Sequence, residues 1–177
     1  MMLSLLLSFS KHAALTGLLW YTSITGFNPV IAENTVSKTI DNSGETKNNS
    51  ETLKGIDASR WQKEVDWMQV KDAGVTFAFV KATQGDFRLD PFFARNWEET
   101  KRYGIKRGAY HFFKPEAPVQ DQIKLFTSTV SLAPGDLPPV LDVEVSDPTI
   151  SGEQLRASIK TWLEAGTKHY GVKPIIY

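Results

Sequence analysis

The chain has 177 residues, is 41% hydrophobic and 11% aromatic, and carries 20 Lys+Arg against 20 Asp+Glu for a formal net charge of zero. These values fit one globular domain and supply no basic field, so nucleic acid is excluded as a partner class. The absence of cysteine removes disulfides, thiolate metal sites and a thiol nucleophile.

Residues 1–32 stand apart from the rest. MMLSLLLSFSKH leads into the uncharged run AALTGLLWYTSITGF at 13–27, and then NPVIA places Val30 and Ala32 at the small-residue positions that precede a signal-peptidase cut. The segment reads as an export signal peptide. The competing reading is an uncleaved membrane anchor, with LSLLL and the later run forming one longer helix interrupted by Lys11 and His12. Residues 33–54 are polar, rich in Ser, Thr and Asn, and without periodicity, which is the composition of a flexible linker.

From Gly55 onward the pattern is that of a folded domain spanning 55–177. Short apolar runs with β-branched or aromatic character predict strands at 55–59, 77–83, 108–113, 138–144 and 174–177. Helical spacing occurs between them at 90–104 and 151–171. The second helix opens with Ser151 three residues before Gln154, a capping box, and closes on Gly171. Trp67, Trp97 and Trp162 fall on helical segments and are expected to pack them onto the sheet. Continuous apolar strands alternating with helices imply a parallel sheet covered by helices, and no G-x-G-x-x-G follows the first strand, so a dinucleotide fold is disfavoured. The fold class is therefore α/β, an irregular β/α (TIM-like) barrel. At about 30 residues per unit a full barrel needs roughly 240 residues, so only about the first five strands are expected, as an incomplete barrel with an open edge.

The run PPVLDVE at 138–144 ends a buried strand on two acids. Asp142 and Glu144 are two apart, so both point to one face, the mouth where β/α barrels hold their chemistry, and Val143 turns toward the helices. Two carboxyls so placed do not ionise independently. Repulsion and partial burial raise the pKa of one of them, giving a proton donor beside an anion, as glycoside hydrolysis requires. The same pair is also suited to Mg²⁺ or Ca²⁺, which would make a metal-dependent hydrolase.

Five segments in order, GIDASRWQ at 55–62, FAFVKATQG at 77–85, DPFFARNW at 90–97, GIKRGAYHFF at 104–113 and PPVLDVE, resemble the successive motifs of the glycoside hydrolase family 25 lysozymes. The resemblance covers 55–177. It implies a muramidase that cleaves the β-1,4 bond between N-acetylmuramic acid and N-acetylglucosamine in peptidoglycan, without a cofactor or a metal. Glu144 then matches the general acid. Asp142 matches the carboxylate that stabilises charge at the sugar or orients its acetamido group, and Asp57 matches an acid on the first strand. Asp57 has an alternative as an N-cap or turn residue before a helix near 60–65.

Lys81, at the end of the second strand, reads either as a contact to the acids or substrate, or as an ordinary ion pair with Asp57 or a neighbour. Tyr110 and Phe112 share one face of the third strand as candidate substrate contacts, while His111 takes the other face as a hydrogen-bonded structural group. Trp61 has the chemistry to stack on a pyranose ring, or else packs on the surface. Gln84 stands where many members of the family carry Glu. Members of the family also continue through further strands, so the second functional reading is an inactive, glycan-binding remnant. The expected partner is peptidoglycan, the membrane enters only through an uncleaved N-terminus, the location is secreted or periplasmic (cell envelope), and no oligomeric state is favoured.

Overall fold

The computed structural model of the protein describes Trp20–Tyr21 and residues 53–177. The leader at 1–32 and the linker at 33–54 lie outside the described residues, apart from Trp20–Tyr21 and 53–54. Lys54, counted with the linker from sequence, begins a strand.

The predicted alternation of strand and helix is present. The elements are β1 (Trp20–Tyr21), β2 (Lys54–Ala58), a 3-10 turn (Arg60–Gln62), α1 (Trp67–Asp72), β3 (Phe77–Gln84), β4 (Arg88–Leu89), α2 (Phe93–Arg102), β5 (Lys106–Phe112), α3 (Val119–Thr129), β6 (Val140–Asp142), α4 (Gly152–Tyr170) and β7 (Ile175–Ile176). β2, β3, β5, β6 and β7 are the five expected strands, and each pairs in parallel with the next. Sequential parallel neighbours joined by helices make an irregular, barrel-like β/α sheet. β1 pairs antiparallel with the outer edge of β2. β4, which the sequence did not announce, folds back on the end of β3 as a short antiparallel hairpin through Gly85 at φ 57°.

α4 has the expected ends. Ser151 Oγ accepts from Gln154 N at 3.2 Å, Gln154 Oε1 accepts from Ser151 N at 2.8 Å, and Gly171 closes the helix at φ 73°. The helices cover one side of the sheet. Ala58, Ala78, Val80, Ala82, Ala109, Phe113 and Leu141 face Trp67, Trp97, Phe126 and Trp162 in one buried cluster. The three helical tryptophans thus pack as the sequence predicts.

Two polar devices are buried in this layer. Arg107 forms a two-pronged pair with Asp136 at 2.9 and 3.2 Å, donates to Trp97 O, and stacks 3.9 Å from the Trp97 ring centroid. This guanidinium joins β5, α2 and the segment leading to β6, with its donors matched to acceptors in the manner buried charge requires. Further along β5, His111 Nε2 donates to Gln122 Oε1 at 2.9 Å and Nδ1 accepts from Thr83 Oγ1 at 2.7 Å. Gln122 donates to Lys114 O and Ala117 O, which makes its Oε1 the acceptor and fixes the neutral imidazole tautomer. Burial depresses the His111 pKa to about 4. His111 is a structural group.

On the opposite side, the floor below the mouth is filled by Phe77 and Phe79, edge to face at 6.1 Å. Phe79 lies over Gly108, where a Cβ would come within 2.4 Å of its ring, so the close approach depends on glycine. Among the described residues β7 pairs only with β6, and Ile175 and Ile176 are 41% and 52% exposed.

Candidate active site

The mouth is built from the C-terminal ends of β2, β3, β5 and β6. Asp57 sits one residue from the end of β2, pairing with Phe79 of β3. The hydroxyl of Ser59 caps the 3-10 turn instead, in a capping box with Gln62 at 2.9 Å. The cap alternative for Asp57 therefore falls, and its side chain belongs to the mouth.

β6 ends at Asp142, earlier than the sequence implied, yet the chain stays extended because Val143 N donates to Tyr177 O at 2.9 Å. Alternation continues past the strand end. Val143 packs on the helix-side core, Asp142 is buried at 6% exposure, and Glu144 is exposed.

A bulge in β3 arranges the next residues. Lys81 pairs with Tyr110 and Thr83 with His111, so Ala82 is the extra residue, and its carbonyl accepts from Asp90 N at 2.9 Å. The shift brings Thr83 to the helix side, where it meets His111. It also returns Gln84 to the face of Lys81, and Lys81 Nζ donates to Gln84 Oε1 at 2.9 Å. Lys81 Nζ lies 4.4 Å from the Phe112 ring centroid and 6.0 Å from that of Tyr110. Among the described residues Lys81 makes no ion pair, so of its two readings the ion pair with Asp57 or a neighbour gives way to this amide and ring setting.

The charges act on one another. Burial first, then the charges of Glu144 and Asp57, raise the Asp142 pKa to about 7, against the opposing pull of Lys81. Its Oδ1 is buried with no hydrogen-bond partner among the described residues. Glu144 is raised by burial and by Asp57, and Asp57 by burial. Burial depresses Lys81, opposed chiefly by Asp142, and it pushes the Tyr110 hydroxyl well up. Four strand ends thus bring three carboxyls and one ammonium into a single electrostatic unit. In that unit Asp142 keeps its proton up to near pH 7. No group of three or more His, Asp or Glu among the described residues is arranged to hold a metal ion.

Trp61 is 67% exposed on the turn after β2, with the Arg60 guanidinium 4.7 Å above its ring. It is a surface group at the rim of the mouth. Asp90 was not singled out in the sequence. It is buried, accepts from Arg60 N at 2.9 Å and Phe92 N at 3.0 Å, and so ties the Trp61 turn to the start of α2. Its signal was the Asp-Pro step before a helix, a capping pattern that says nothing of Arg60.

The sequence profile described as Glycosyl hydrolases family 25 matches residues 56–177. A protein of Escherichia coli (strain K12) named YegX is 45% identical over 133 residues, covering 72% of this chain and 48% of that protein. Lysozyme M1 of Streptomyces globisporus is 42% identical over 96 residues, covering 52% of this chain and 33% of the relative. Among solved structures, a family 25 glycosyl hydrolase from Bacillus anthracis superposes with a TM-score of 0.68 at 32% identity, covering 71% of this chain and 59% of the other. The chain thus spans about half the length of YegX. The profile match, these relatives and a mouth of carboxyls at parallel strand ends agree: the chain belongs to glycosyl hydrolase family 25.

Proposed function

We propose that this protein is a peptidoglycan hydrolase of the muramidase type, cleaving the β-1,4 bond between N-acetylmuramic acid and N-acetylglucosamine. The carrying observation is the coupled pair Asp142 and Glu144 at the end of β6, one buried and one exposed, with Asp142 raised to about 7. Glu144 is the general acid, reachable by a glycosidic oxygen because it is exposed. A sugar seated on it displaces water and favours its neutral form, so the proton shared by the pair passes to Glu144 while Asp142 becomes the anion. Asp142 then stabilises positive charge developing at the anomeric carbon, or orients the acetamido group, and Asp57 adds negative potential from the opposite strand. Lys81 keeps Asp142 ionisable. The Tyr110 and Phe112 rings and Trp61 offer apolar faces to sugars, and the name of Lysozyme M1 supports the substrate class.

The substrate lies outside the cytoplasm, and the leader-like 1–32 supports a secreted or envelope location. The test is muropeptide release from purified peptidoglycan, with identification of the sugar at the new reducing end. Reducing N-acetylmuramic acid, lost in Glu144→Gln, is the expected result. Binding without turnover by a cooperatively folded chain would replace this function with glycan recognition alone.

A further inference from the structure

A second hollow lies beside the acids, separated from them by Gln84. The β3–β4 hairpin and the segment after β5 enclose about 370 Å³, lined by Gln84, Asp86, Phe87, Arg88, Lys114 and Glu116. Its place is fixed by the backbone, because Gly85 N donates to Phe112 O at 3.1 Å and Gly85 packs against the Lys114 side chain. Gln84 belongs to both spaces, since its Oε1 accepts from Lys81 Nζ at 2.9 Å. A ligand filling the hollow is therefore contiguous with one lying over the acids.

The lining is chemically mixed. Phe87 is 75% exposed, and the Arg88 guanidinium sits 5.6 Å from its ring centroid. Lys114 and Glu116 pair at 3.2 Å, whereas Arg88 and Asp86 have no ion-pair partner among the described residues. Two cations and two anions balance, so a polyanion gains little there. A short chain that carries carboxylates and an amine along an aliphatic backbone meets a partner for each part.

We propose that this hollow binds the peptide stem borne by the muramic acid residue of the substrate, with Arg88 meeting a stem carboxylate, Asp86 its amine and Phe87 its aliphatic part. The proposal rests on the muramidase reading and extends it from glycan strands to peptide-bearing strands. An exposed ion pair together with a ring contact corresponds to about a tenfold gain in affinity.

The experiment titrates the full chain with the N-acetylglucosamine–N-acetylmuramic acid disaccharide, with and without its peptide, by calorimetry. Hydrolysis of glycan strands stripped of peptide is scored in parallel. The expected result is about tenfold tighter binding of the peptide-bearing fragment, with the gap narrowing in Phe87→Ala and in Arg88→Gln. Equal affinity for the two fragments in the parent chain overturns the stem hollow. A gap that persists undiminished in both variants overturns it too. Peptide-free strands that are still cut in either case leave the muramidase reading standing, so the two failures are distinguishable.

Discussion

Asp142→Asn should stabilise the protein at alkaline pH while abolishing the proposed hydrolysis. Asp142 is buried with an unpartnered oxygen, and its pKa is raised from 3.8 to about 7. Between these values the unfolded chain has released the proton that the folded chain still binds, so folding stability falls as pH rises. At 1.36 kcal/mol per pH unit, the loss from this group is about 2 kcal/mol at pH 5 and reaches about 4 kcal/mol at pH 8. An uncharged isostere abolishes this dependence and also relieves Glu144 of a neighbouring charge. Urea unfolding of parent and variant, followed by tryptophan fluorescence at pH 5 and pH 8, checks the reasoning. The variant's advantage should grow by about 2 to 3 kcal/mol between the two pH values. An advantage that is flat with pH, or a variant less stable than the parent at pH 8, would refute the claim that the active site stores unfavourable charge.

Three further outcomes follow from the same geometry. Lys81→Met removes the cation that opposes proton retention on Asp142, so the falling alkaline limb of kcat/KM should move to higher pH. The ratio of rates at pH 8 and pH 6 should rise about tenfold. Trp61→Ala should raise KM about three- to tenfold with kcat nearly unchanged, because an exposed rim ring contributes binding common to ground and transition states; a loss confined to kcat would move Trp61 into the chemistry. His111, depressed from 6.5 to about 4, leaves the unfolded state with more protons between those values. Stability should therefore fall by about 3 kcal/mol as the pH drops to 4, and unfolding curves of His111→Gln should show that acid slope flattened.

What was legible in the sequence is what depends on local order. The i, i+2 alternation of Asp142, Val143 and Glu144 sorted two acids to the mouth and a valine to the core, even though β6 ends at Asp142. The capping box at Ser151 and Gln154 involves residues three apart, and it formed as read. His111 was placed opposite Tyr110 and Phe112 by strand parity alone. What escaped depends on partners brought from a distance. Asp90 acquires its meaning from Arg60, 30 residues away, and Arg107 from Asp136, 29 residues away. Gln84, noted in the sequence only for standing where many family members carry Glu, reaches Lys81 because the bulge at Ala82 shifts the alternation.

That additional residue makes β3 a strand of two phases. Before Ala82, odd-numbered side chains look into the mouth; after it, even-numbered ones do. Unbroken alternation through Ala82, without the bulge, would exchange the two sets beyond it, presenting the Thr83 hydroxyl to Lys81 and driving the Gln84 amide toward the imidazole of His111; deleting Ala82 outright would leave both on their present faces. What faces the mouth and what faces the core beyond Lys81 is thus set by one backbone irregularity and not by the residue count. Any loop grafted between β3 and α2 to change what the mouth accepts has to enter after Gln84, where the phase is already set.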